Sequence, residues 1–129
     1  MASRLIRVSS TATGQRRRVI VRIYDTVEQM RAAGVRFNGN PLDDAVGVTQ
    51  AYCDKDKRVT VPIVRLARGQ LGIQVVSHEM HHAATAIYGS TLPDDATLAD
   101  VLTHHNEPFA HLYSDLMRKL VVSLYRYEY

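Results

Sequence analysis

The chain has 129 residues, 46% of them hydrophobic, a single cysteine and a formal charge of +3. That length supports one modest core, and no linker, repeat or low-complexity stretch divides it, so one domain over residues 1–129 is expected. The lone Cys53 excludes an internal disulfide, no apolar run is long enough to cross a bilayer, and the opening residues carry no secretory core, so a soluble, unexported, cytoplasmic protein is expected.

In chain order, residues 5–8 read as a first strand, followed by the basic cluster Arg16, Arg17 and Arg18. Such a cluster is commonly a solvated strand start, and no recognition motif or aromatic interleaving accompanies it, so nucleic acid is not expected as a partner. Residues 18–24 alternate as a strand, and residues 26–33 read as a short helix that stops at Gly34. Residues 45–52 and 58–64 flank the polar turn Asp54-Lys55-Asp56-Lys57, which suits a hairpin. Pro62 has no backbone donor, which pushes the second of these strands toward a sheet edge.

The next segment holds His78-Glu79-Met80-His81-His82 among Leu71, Ile73, Val75, Val76, Ala83, Ala84 and Ile87. This spread of apolar residues predicts a helix buried on several faces and ending at Gly89. His78 and His82 lie four apart, one above the other on a helix, so both imidazoles can face one metal ion. Glu79 projects beside them, where a carboxylate can take a proton from a metal-activated water and pass it to a leaving amine. A buried cluster of this kind needs a partner, and a metal supplies it. His81 faces about a quarter turn away and reads as a packing histidine.

A catalytic zinc site needs a third protein ligand. A third histidine six residues after His82 is excluded, because that position is Tyr88. The best candidate is Glu107, at the start of a second helix that Asn106 would cap and Pro108 would open. Phe109, Leu112, Leu116, Leu120 and Leu124 give that helix a core face.

With His78-Glu79-Met80-His81-His82 followed by Glu107-Pro108-Phe109-Ala110, the chain resembles the small gluzincin-type metallopeptidases, in particular compact metallopeptidase-like proteins of phages and mobile elements. The resemblance covers the C-terminal half. It implies a small α+β zincin-like domain, with a mixed sheet of three to four strands packed on the motif helix and a C-terminal helix. It further implies Zn2+ held by His78, His82 and Glu107, Glu79 as general base, a protein or peptide substrate, and a host cytoplasm as the place of work. In such families an edge strand near the metal pairs with an extended peptide, and residues 59–63 are the corresponding rim. Many gluzincins also carry an aspartate four residues after the ligand glutamate, where this chain has His111.

Rivals to Glu107 are His104 and His105, which would supply a third imidazole, and Asp94, Asp95 or Asp100. Tyr88, Tyr113 and His111 are candidates to stabilise an oxyanion, although each also reads as packing and none is assigned a catalytic role. The alternative to an enzyme is a zinc-stapled interaction module, its metal closed off by a fourth ligand such as His104, His105 or His111.

Overall fold

The computed structural model describes residues 3–52, 56, 59–92, 95–100 and 106–126, and the side chains of these except Asp100 and Asn106. The protein is α+β. Its elements run β1 (Arg4–Ser10), β2 (Arg17–Tyr24), α1 (Val27–Asn38), β3 (Val48–Gln50), β4 (Ile63–Ala67), α2 (Ile73–Gly89), α3 (Leu98–Asp100) and α4 (Asn106–Arg126). The four strands form one mixed sheet in the order β1-β2-β4-β3. The β1/β2 and β3/β4 pairs are antiparallel, and the β2/β4 pair is parallel.

Strand alternation gives this sheet two apolar faces. Ile6, Val8, Val19, Val21, Val64 and Leu66 point to one side, where Val76, Met80, Ala83 and Ile87 of α2 and Leu112, Leu116 and Leu120 of α4 cover them. Tyr24, Val48 and Ala67 point to the other side and pack on Met30 and Ala33 of α1. The leucines of α4 recur every fourth residue and are buried, Leu112, Leu116 and Leu120 fully, as the sequence period requires.

Several expectations from sequence change in the folded chain. The first helix does not stop at Gly34. It runs on to Asn38 and ends at Gly39, whose φ of 77° is the left-handed conformation of a helix terminus. Gly34 serves close packing instead, since a Cβ there would lie 2.5 Å from Leu42 Cδ1. The hairpin strands are shorter and shifted, to Val48–Gln50 and Ile63–Ala67. Its turn residues Asp54, Lys55 and Lys57 lie outside the described residues.

Pro62 does not mark an edge. It precedes β4, which sits between β2 and β3, and its carbonyl accepts a hydrogen bond from the Ile20 amide at 3.0 Å. A proline one residue ahead of a central strand removes no ladder donor, so the sheet continues past it. The edge strand on that side is β3.

Candidate metal centre

Helix α2 carries the motif, and it is amphipathic rather than buried all round. Val76, Glu79, Met80, Ala83, Ala84, Ile87 and Tyr88 face inward, while the His78 side chain is 65% exposed and His82 is also exposed. The expectation of buried histidines is therefore corrected. Only the carboxylate is buried, because the helix turns Glu79 toward β3 while positions 78 and 82 share the outer face.

His78 and His82 meet one another, with Nε2 atoms 3.1 Å apart and rings at 88°. Two imidazoles on one tetrahedral zinc, with Zn–N bonds of about 2.0–2.1 Å, would hold their nitrogens roughly 3.3 Å apart. The pair thus fits a shared metal ion almost as it stands. Glu79 Oε2 lies 3.9 Å from His78 Nε2, and Glu79 as a whole is 6% exposed.

The partner that the sequence did not reveal is Thr49. Its hydroxyl is 2.8 Å from the main-chain oxygen of Glu79 and 2.9 Å from Oε1, on the edge strand β3. Alternation along residues 45–52 separates Thr49 from Val48 and Gln50, but only the strand order brings Thr49 against α2. Gly47 comes closer still. A Cβ at that position would be 2.9 Å from Glu79 Cγ and 3.1 Å from Val75 Cγ1. Between strand and helix lies an open cleft of about 420 Å³, lined by Gly47, Thr49, Ala51, His78, Glu79 and His82 among others.

Glu107 stands in the first turn of α4, well exposed, with its Oε1 3.2 Å from His111 Nε2. His111, four residues on, is thus the partner of the expected ligand Glu107 itself. Among the described residues, no three His, Cys, Asp or Glu side chains are gathered to hold a metal ion, so Glu107 is not brought onto the histidine pair. Asp94, His104 and His105 lie outside the described residues, and the side chain of Asp100 is likewise not described.

His81 packs as expected, edge-on to Phe109 at 5.3 Å and to Tyr113 at 5.7 Å, and so joins α2 to α4. Tyr88 belongs to the core, edge-on to Phe109, and burial pushes its hydroxyl pKa up. Tyr113 donates to the Ser77 carbonyl at 3.3 Å. These contacts favour packing roles for both tyrosines over oxyanion stabilisation.

Comparison with known protein families, characterised proteins and solved structures finds no match. Among the described residues no helix is long and apolar enough to cross a membrane.

Proposed function

We propose that the chain is a zinc-dependent peptidase that hydrolyses peptide bonds, with Glu79 as general base. The observation that carries this reading is the pair of exposed imidazoles, 3.1 Å apart, with a buried carboxylate 3.9 Å from one of them at the wall of an open cleft. His78 and His82 would hold the ion, and Glu107, which here pairs with His111, would have to turn from that partner toward the histidine pair to serve as third ligand. When bound, zinc supplies a Lewis acid that polarises the scissile carbonyl and makes the attacking water acidic enough to ionise near neutral pH.

The chain's own residues do the rest. Thr49 holds Glu79 through Oε1, which leaves Oε2 on the side of His78 to accept the proton and return it to the leaving amine. A carboxylate fixed in this way loses little freedom as it reacts. Edge strand β3 borders the cleft, and an extended peptide added to it would gain main-chain hydrogen bonds while presenting its carbonyls to the histidine pair. The substrate rim thus moves from residues 59–63 to β3. Work in the cytoplasm, of a bacterial host if the chain is phage-encoded, is part of the same proposal and agrees with its single cysteine.

The test is Glu79→Gln, assayed for zinc content and for cleavage of a mixed peptide library. Zinc retained with hydrolysis lost is the expected result, and full activity in the variant would refute the general-base role. No cleavage by the wild-type protein, together with a metal closed off by four protein ligands, would make the chain a zinc-stapled interaction module instead.

A further inference from the structure

On the sheet face opposite α2, Arg65 of β4 is only 6% exposed. Its Nε donates to Gln50 Oε1 at 2.7 Å, its Nη1 donates to the Tyr24 hydroxyl at 2.7 Å, and its guanidinium lies 5.4 Å from the centre of the Phe37 ring. All three partners are neutral. Arginine is seldom buried this deeply without an anion, because an uncompensated charge is costly away from water.

The surroundings add positive charge instead of cancelling it. A cleft of about 340 Å³ opens beside Arg65, lined also by Arg22 of β2, Arg36 of α1, Tyr24 and Ser3. Arg22 Nη1 donates to the Ser3 hydroxyl at 3.3 Å. Among the described residues, no carboxylate forms an ion pair with Arg22, Arg36 or Arg65. Three guanidinium groups converging on one cleft make a local field that attracts anions, and their planar forks match the oxygens of a phosphate.

We propose that this cleft is a binding site for a phosphate group, held by Arg22, Arg36 and the preset Arg65. The site is independent of the histidine pair, which lies across the sheet. The same sheet face continues with Arg7 and Arg18, which with Arg16 line a second cleft of about 350 Å³. Arg18 pairs with Ser9 and Arg22 with Leu5 in the β1/β2 register, so Arg7 falls between them. The phosphate can therefore come from a small phosphate ester or from a nucleic-acid backbone laid along the arginines.

The experiment is calorimetric titration of the full chain with inorganic phosphate, and separately with a short oligothymidylate, at ionic strength fixed with chloride. Arg22→Ala/Arg36→Ala is the test variant, because Arg36 is exposed, Arg22 is half-buried, and the Arg65 bonds to Gln50 and Tyr24 involve neither of them. Binding should weaken about tenfold or more in this variant, as expected for the loss of charge-assisted hydrogen bonds. Phosphate bound as tightly as the oligonucleotide identifies a phosphate ester as the ligand. Much tighter, strongly salt-dependent oligonucleotide binding that Arg7→Ala/Arg18→Ala also weakens identifies the backbone. No heat with either probe, or equal affinity in wild type and Arg22→Ala/Arg36→Ala, would overturn the proposal.

Discussion

The Thr49 hydroxyl sits between the two ends of Glu79, 2.8 Å from its carbonyl oxygen and 2.9 Å from its Oε1. The hydroxyl has one proton and can serve one of these acceptors at a time, so it is a switchable clamp between edge strand β3 and the motif helix. Thr49→Val keeps the shape and strips the donor, leaving a buried carboxylate oxygen unpaired. Stability should fall by about 1–3 kcal/mol in urea melts, and Thr49→Ser should recover most of it. A variant as stable as wild type would remove the clamp.

Gly47, just ahead of β3, lets the chain approach α2 closely, since an added Cβ would meet Glu79 Cγ at 2.9 Å. Gly47→Ala should therefore displace Glu79 as well as strain the packing, at a cost of about 1–3 kcal/mol. Peptide cleavage is expected to fall further than the change in melting temperature alone explains. Cleavage at the wild-type rate would show that the contact relaxes without moving Glu79.

Exposure of His78 and His82 separates metal binding from folding. Replacing either with Ala should abolish stoichiometric zinc, yet leave the stability of the metal-free protein within about 0.5 kcal/mol, as for other surface changes. Metal analysis and chelator-treated melts test both halves. If both single variants kept wild-type zinc, the metal would lie elsewhere.

Glu107 and His111 are paired on α4 at 3.2 Å. Glu107→Ala should weaken zinc by more than tenfold, and His111→Ala should have the smaller effect of a residue that only steadies a ligand, about 10-fold at the lower end of such losses. Zinc affinity from chelator competition distinguishes them. Unchanged affinity in Glu107→Ala would pass the role of third ligand to His104 or His105, or to one of Asp94, Asp95 and Asp100.

Asp115 ties α4 to the end of β1. A hydrogen bond from Ser10 lowers its pKa below the ordinary 3.8, aided by Lys119 and Arg118 and opposed by partial burial. Because the folded protein holds this proton less tightly than the unfolded chain, the stabilisation is present above pH of about 4 and is lost as pH falls through the lowered folded value. Asp115→Asn should thus lose stability at pH 7 and show a weaker acid dependence between roughly pH 5 and 2 than wild type, read from urea midpoints. Parallel acid profiles would contradict the assignment.

The sequence alone determined what depends on neighbours along the chain. Spacing put His78 and His82 on one helical face, Gly89 ended that helix, and the leucine period of α4 marked its buried side. These follow from repeats of 3.6 and 2 residues, which are local properties of the backbone. The tertiary structure decided what depends on distant segments meeting. It placed β4 inside the sheet despite Pro62, made Gly34 a packing residue within α1, and left the histidines outside while Glu79 was buried. It also joined Thr49 to Glu79 across 30 residues and Arg65 to Tyr24 across 41. Contacts at such separations are fixed by strand order and by which face each helix covers, and no periodicity within one segment encodes them.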